Sequence, residues 1–160
     1  MPARNSTRSK ASAANDWLRL DQQLCFALYS ASLATTRLYK PLLEPLGLTY
    51  PQYLVLLVLW ERDAVGVGEL GERLFLDSGT LTPLLKRMQA AGWVTRERAT
   101  DDERRVIVRL STEGRALKKV ALAVPRQLAS ATGCHADEIS ALTERLQQLR
   151  SQVLESTRAA

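Results

Sequence analysis

The chain has 160 residues, of which 46% are hydrophobic and 24% are charged, a composition that predicts one globular domain and excludes an unstructured polymer. The formal net charge is +5, and residues 80–120 carry this excess with ten basic and five acidic side chains, so an anionic partner is expected. The longest apolar run, Tyr53 to Trp60, is far shorter than the roughly 20 residues of a membrane-spanning helix, and the polar N-terminus does not resemble a signal peptide. We therefore expect a cytoplasmic protein that makes no membrane contact.

The N-terminal region divides into a tail and a first helix. Residues 1–15 are polar, basic and without periodicity, which predicts a disordered arm before a single domain over residues 16–160. Asp16 suits a helix N-cap, and apolar residues then recur at alternating steps of three and four until Pro41 ends the helix. This spacing is typical of a helix that packs along another helix.

A second helix is predicted from Tyr50 to about Asp63, after a turn or short helix that begins at Pro41. The continuous apolar run from Leu54 to Trp60 would equally fit a buried strand. We favour a helix because of the length of the run, the proline at its front and the absence of a nearby strand partner.

Two short helices separated by a tight turn are predicted next. Residues 67–74 fit the first of them. The side-chain oxygens of Asp77, Ser78 and Thr80 fit the N-cap of the second, which Gly92 ends.

A basic β-hairpin follows, because residues 93–98 and 105–110 are short, β-branched and alternating, with a charged tip between them. The order helix, tight turn, helix and hairpin over residues 49–111 is that of a winged helix-turn-helix. In such a unit the second helix enters the DNA major groove and the hairpin reaches an adjacent groove. The predicted fold class is therefore mainly α with a small β-hairpin wing.

The residues that would contact DNA lie in this unit. The alternative to DNA binding is that these cations are scattered over a solvated surface. We favour DNA binding because the charge excess, the helix caps and the hairpin all fall within this one unit. Hydroxyl side chains in the opening turns of the second helix are placed to reach base edges or phosphates, two cations follow one turn later, and two stand at the wing tip. They are Ser78, Thr80 and Thr82, then Lys86 and Arg87, and finally Arg104 and Arg105.

Two helices at about 112–130 and 136–156 close the chain. In the last one, apolar residues recur at strict three- and four-residue steps at Ile139, Leu142, Leu146, Leu149 and Val153. The first and last helices thus carry apolar seams that a lone subunit has little other surface to cover. We expect residues 16–48 and 112–157 to form the dimerisation region of a homodimer that binds a near-palindromic, double-stranded operator.

Several motifs follow one another in a fixed order. They are Val67 to Leu74, Ser78 to Met88, Gly92-Trp-Val94, Asp101-Asp-Glu-Arg-Arg-Val106 and Leu110-Ser-Thr-Glu-Gly114. In this order they resemble the MarR family of bacterial transcription regulators. Within that family, the segments Leu20 to Tyr29, Leu38 to Leu43 and Gly47 to Tyr53 resemble the organic hydroperoxide resistance regulators. The likeness covers about residues 16–155 and implies a cytoplasmic repressor that organic hydroperoxides release from its operator.

The resemblance also implies roles for four residues. In this subfamily a thiol in the first helix is oxidised, two tyrosines hydrogen-bond to it, and some members carry a second cysteine that closes an intersubunit disulfide. These roles map onto Cys25, Tyr39, Tyr50 and Cys134. Tyr39 lies about 21 Å beyond Cys25 along a straight helix, so the two cannot touch within one helix, and tyrosines from the opposite subunit fit this geometry. Cys134 stands just before the last helix, where the helix dipole favours a thiolate.

Two other functions compete with this hypothesis. A regulator of the same fold could be released by a phenolic or other aromatic ligand, with both cysteines incidental. A thiol peroxidase would use Cys25 in repeated turnover. We expect no enzyme, no cofactor and no metal, because the sequence has no nucleophile elbow and no metal-ligand cluster, and its one GxGxxG match, at Gly66 to Gly71, lacks a βαβ unit.

Overall fold

The computed structural model describes residues 17–102 and 104–159. The predicted disordered arm at residues 1–15 and the predicted N-cap at Asp16 lie outside the described residues. The chain forms two compact units that divide between Tyr39 and Lys40.

The first helix differs from its prediction at both ends. Residues 20–22 form a short 3₁₀ helix, and helix α1 begins only at Leu24 and runs to Leu43. The side-chain Nε2 of Gln23 donates to the backbone carbonyls of Trp17 and Arg19, and its backbone N–H donates to the carbonyl of Leu20. The predicted end at Pro41 is wrong, because this proline lies within the last turn of α1, where its missing N–H removes only one helical hydrogen bond.

Helix α2 spans Tyr50–Glu61 and confirms the helical interpretation of the apolar run within it. A capping box begins the helix: the backbone N–H of Thr49 donates to Oε1 of Gln52 at 2.8 Å. Residues on most sides of α2 are buried, which explains why its sequence lacks an amphipathic period. Among the described residues no single helix is long and apolar enough to cross a membrane, although Leu24–Leu46 and Tyr50–Glu61 meet the length and composition criteria as a pair.

Helices α3 (Val67–Leu74) and α4 (Ser78–Ala90) form the predicted helix-turn-helix. Phe75 ends α3 in the left-handed conformation with a φ of 56°, which turns the chain sharply toward α4. Leu81, Leu84, Leu85 and Met88 of α4 are buried at three- and four-residue spacing. The opposite face of α4 is therefore left for solvent or a partner.

A three-stranded antiparallel sheet forms the wing. Its strands are β1 (Val65–Gly66), β2 (Val94–Arg98) and β3 (Val106–Leu110), in the order β1-β3-β2. The hairpin of β2 and β3 was predicted, whereas β1 was missed because two residues are too few to show a period. The fold class, mainly α with a winged helix-turn-helix, is confirmed.

Three helices close the chain, not the two that were predicted. They are α5 (Thr112–Ala121), α6 (Ala123–Thr132) and α7 (Ala136–Arg158). The predicted helix at 112–130 breaks at Leu122 because Pro125 lacks the N–H that would bond to the carbonyl of Ala121. The predicted last helix is confirmed, and Leu142, Leu146 and Val153 of its seam are exposed in the single chain.

Candidate nucleic-acid interface and thiol residues

The opening of α4 presents the three predicted hydroxyl side chains at the surface: Ser78, Thr80 and Thr82 are all exposed. Asp77 caps the helix, since its carboxylate accepts from the backbone N–H of Thr80 at 2.8 Å and from the Thr80 hydroxyl at 2.9 Å. These hydrogen bonds, from the backbone first and then from the hydroxyl, lower the pKa of Asp77 below its ordinary value. The Asp77 cap therefore holds the Thr80 side chain at the helix start.

Lys86 and Arg87 are exposed on α4, one turn beyond the hydroxyl side chains. Ser78, Thr82 and Lys86 are four residues apart and so form one row along the outer face of the helix. Such a row suits the groove of a duplex, with hydroxyl groups at the leading end and a cation behind them.

The two predicted arginines stand at the wing tip. Arg104 donates from its backbone N–H and from Nε to Oδ1 of Asp102, at 3.0 and 3.1 Å, while Nη1 of Arg105 contacts Asp101 at 3.0 Å. The Arg104 hydrogen bonds lower the pKa of Asp102. Because these ion pairs are exposed, they stabilise the fold little and leave both guanidinium groups available for phosphate.

A cavity of 1050 Å³ lies between the helix-turn-helix and the wing. Four of the seven predicted DNA-contacting residues line this cavity, namely Ser78, Thr82, Arg104 and Arg105, whereas Thr80, Lys86 and Arg87 do not. Arg96 of β2 also lines it, and its Nε donates to Oε1 of Gln89 at 2.6 Å. Arg96 is not among the predicted DNA-contacting residues, because its position beside the cavity depends on the strand register.

Asp63, between α2 and β1, fixes the base of the wing and was missed by the sequence analysis. Its Oδ1 accepts from the backbone N–H groups of Ala64 and Leu110, both at 2.8 Å, and its Oδ2 lies 2.7 Å from Nη1 of Arg115. Burial alone would raise the pKa of Asp63, but the two backbone hydrogen bonds and Arg115 lower it below its ordinary value. The sequence gives no signal for these contacts, because an acidic residue just after a helix has no pattern that identifies its distant partners.

The predicted redox residues are divided between the two units. Cys25 is exposed on α1, and Tyr39 lies on the same helix. Tyr50 opens α2 in the second unit, and burial raises the pKa of its hydroxyl. The roles of Cys25, Tyr39 and Tyr50 around one thiol stay a prediction.

Cys134 is exposed and lies one residue before the N-cap of α7. The cap itself is His135, whose backbone N–H donates to Oε2 of Glu138 at 2.8 Å. The Cys134 thiol lies 3.7 Å from the backbone oxygen of Thr132. Within residues 17–102 and 104–159, no three His, Cys, Asp or Glu side chains are grouped as a metal site would require.

Comparison with known sequences matches this chain to a family profile and to individual proteins. The family profile described as "Transcriptional regulator SarA/Rot" matches residues 37–120. The organic hydroperoxide resistance transcriptional regulator of Bacillus subtilis is 52% identical over 110 residues, which cover 69% of this chain and 75% of that protein.

Several solved structures are similar in fold and in sequence. Reduced AbfR bound to DNA superposes with a TM-score of 0.72 at 37% identity, over 88% of this chain and 99% of that one. AbfR is a protein of Staphylococcus epidermidis that has also been solved overoxidized on DNA and in a disulfide form. MarR of E. coli superposes with a TM-score of 0.64 at 29% identity, over 79% of this chain and 96% of that one.

Proposed function

This chain belongs to the MarR family of transcription regulators, which are not enzymes, and from that premise we propose that it is a repressor that senses organic hydroperoxides. In this proposal, oxidation of Cys25 makes the protein leave its operator. One observation carries it: a chain 52% identical to an organic hydroperoxide resistance regulator presents an exposed thiol on its first helix. The protein would act in the bacterial cytoplasm, where thiols are kept reduced.

DNA is the proposed partner of the winged unit. The row Ser78, Thr82 and Lys86 would enter a major groove, with Thr80 and Arg87 beside it, and Arg104 and Arg105 would reach the neighbouring groove. The complex of AbfR with DNA supports this assignment, because AbfR shares the fold at 37% identity. Two copies of the winged unit in a homodimer would read a near-palindromic operator.

Oxidation would proceed in two balanced steps. The Cys25 thiolate attacks the terminal oxygen of an alkyl hydroperoxide and the O–O bond breaks, which gives a sulfenic acid on Cys25 and an alkoxide that takes a proton from water to become an alcohol. The Cys134 thiol then attacks the sulfenic sulfur, which forms a disulfide and releases water. Exposure of both thiols supports this sequence, since each must be reached by its reactant.

Tyr39 and Tyr50 would donate hydrogen bonds to the Cys25 thiolate in the reduced protein. A sulfenic acid is larger and differently charged, so its formation would disturb these bonds. If Cys25 and Cys134 belong to different subunits, the disulfide would pull their Cα atoms to within about 7 Å of each other. Movement of the last helices would then change the spacing of the two α4 helices and release the DNA.

A ligand-released regulator is the second candidate, and the cavity of 1050 Å³ favours it. Apolar Leu81 and Leu85 line this cavity together with Arg96 and the wing arginines, a combination that suits an aromatic acid. In that case a phenolic compound, and not an oxidant, would release the DNA, and Cys25→Ser would leave the response unchanged.

The experiment that tests the proposal measures binding of the purified protein to an operator selected from a random DNA pool. An organic hydroperoxide should release the DNA, and a thiol reductant should restore binding. Non-reducing electrophoresis of the same samples should show a covalent dimer that Cys134→Ser abolishes. Monomer bands in oxidised protein that has left its DNA would overturn the intersubunit disulfide, and repeated peroxide turnover would favour a thiol peroxidase.

A further inference from the structure

We infer that Arg96 is a positioning residue for DNA recognition: its hydrogen bond to Gln89 fixes the angle between the wing and α4, so that both reach their grooves together. This inference rests on the proposed function. The Nε of Arg96, on β2, donates to Oε1 of Gln89, on α4, at 2.6 Å. The bond therefore joins the two elements that are proposed to enter neighbouring grooves of the duplex.

The bond spans a glycine link between helix and strand. Residues 91–93 join α4 to β2, and Gly92 among them has a φ of 81°. The backbone N–H of Gly92 donates to the carbonyl of Gln89 at 3.0 Å. The backbone N–H of Trp93 donates to the carbonyl of Met88 at 3.1 Å, which completes a Schellman motif. Because glycine has the widest choice of backbone conformations, this link restrains the direction of β2 weakly, and a side-chain bond across it adds the missing restraint.

Arg96 is an exception to the pattern of its strand. Alternation on β2 places Val94 and Arg96 on one face, and the strand pairing sets Arg96 opposite Val108 of β3. Val94 and Val108 are buried, whereas Arg96 is half-buried. A guanidinium group on the inner face of a sheet needs a hydrogen-bond partner, and Gln89 supplies one. Arg96 thus stands where the packed base of the wing gives way to its exposed part.

Gln89 lies on the side of α4 that faces the duplex in the proposed complex. At 3.6 residues per turn it stands about 20° around the helix axis from both Ser78 and Thr82. Its side chain is exposed. Arg96 lines the 1050 Å³ cavity together with Ser78, Thr82 and Arg105. The bond therefore lies beside proposed contacts of both α4 and the wing.

A small change in the wing angle has a large effect at the tip. The tip begins at Asp101, five residues beyond Arg96, or about 17 Å of extended chain. A rotation of about 10° at Arg96 then moves the tip by about 3 Å, which is the length of one hydrogen bond. A displacement of that size separates Arg104 and Arg105 from the phosphates that they would reach. Holding the angle before binding also avoids part of the entropy cost of ordering the wing on DNA.

The test compares the full chain with Gln89→Leu, with Arg96→Met and with both substitutions together. Leucine has about the helix propensity of glutamine, and methionine keeps an unbranched apolar stem on the sheet, but the bond is lost in each case. The control is Arg109→Met, which removes the same charge from the opposite face of the wing. Affinity for the selected operator and its variants is measured over a salt series, and hydroxyl-radical footprints map the contacts. Amide hydrogen exchange of β2 is measured without DNA.

We expect each single substitution to weaken binding to every operator variant by roughly three- to ten-fold. The double variant should lose no more than either single one, because both remove the same bond. Footprints at the wing contacts should fade while those at the α4 contacts stay, and exchange in β2 should become faster. Arg109→Met should leave both the α4 and the wing footprints in place.

Losses that multiply in the double variant would overturn the inference. An effect of Gln89→Leu at a single base pair would do so as well, because Gln89 would then be a base contact. A shallower salt slope for Arg96→Met, with no loss for Gln89→Leu, would make Arg96 a phosphate contact instead. Faster exchange in β2 of all three variants, in a protein that binds no DNA, would overturn the proposed function but leave the bond between Arg96 and Gln89 standing.

Discussion

The indole Nε1 of Trp60 donates a hydrogen bond of 2.9 Å to the backbone carbonyl of Gly114, which lies 54 positions further along the chain. A Cβ atom at Gly114 would lie 2.1 Å from the carbonyl oxygen of Trp93. The end of α2, the entry to β2 and the start of α5 therefore meet at one glycine. This junction fixes the base of the wing against the helix-turn-helix.

Gly114→Ala should lower the free energy of unfolding by about 1 to 3 kcal/mol or more, because the new methyl group meets backbone that cannot rotate away. The control is Gly68→Ala in α3, where a Cβ would have nothing within 4 Å. That change should raise stability by up to about 1 kcal/mol through helix propensity. Urea unfolding measures the change in stability of both variants. Equal midpoints for Gly114→Ala and the native chain would contradict the close packing of Gly114 against the backbone of Trp93.

Asp63→Ala should destabilise the fold by about 1 to 3 kcal/mol near neutral pH, because the buried N–H of Leu110 loses its acceptor. The folded-state pKa of Asp63 is lowered, so its contribution is fully present above the ordinary aspartate pKa of about 3.9. That contribution is lost as the pH falls through the lower, folded-state pKa. Urea unfolding of both proteins at a series of acid pH values should therefore show the difference shrinking on acidification. A difference that stays constant into strong acid would contradict the ionised role of Asp63.

Arg105→Ala should weaken binding to all operator variants by a similar factor, because a wing cation that meets phosphate carries no base information. The slope of log affinity against log salt should become shallower by about 0.9, since one fewer counterion is released. Arg145→Ala serves as the control with the same loss of charge on the last helix. Identical salt slopes for Arg105→Ala and the native protein would contradict a contact between the wing and DNA.

Leu146→Glu should abolish both dimer and operator binding, because a charge within the predicted seam costs several kcal/mol once the seam is covered. Gln147→Glu adds the same charge next to the seam and should stay dimeric. Analytical ultracentrifugation decides between the outcomes. A Leu146→Glu chain that sediments as a dimer would place the interface elsewhere.

The winged unit could be predicted from the sequence because its signals are local. The Asp77 cap, the left-handed Gly92 and the alternation within β2 and β3 each act over a few neighbouring residues. The break at Leu122 is also encoded locally, by Pro125, although one continuous helix was predicted over about 112–130.

Long-range relationships could not be predicted in this way. The pairing of Val65 with Val108 and the contacts of Asp63 with Leu110 and Arg115 join residues more than forty positions apart. Neither pattern nor propensity specifies such partners, because they arise only when separate elements pack together. The approach of α7 to Phe75 belongs to the same class.

The most direct test of the central claim titrates the operator complex with an alkyl hydroperoxide and follows the fraction of DNA bound for the native protein and for Cys25→Ser. The native complex should dissociate as about one equivalent of oxidant is consumed per Cys25 thiol. Binding should return on reduction, whereas Cys25→Ser should keep its DNA throughout. Release of DNA by Cys25→Ser at the same peroxide concentration as the native protein would contradict the claim that Cys25 is the sensor.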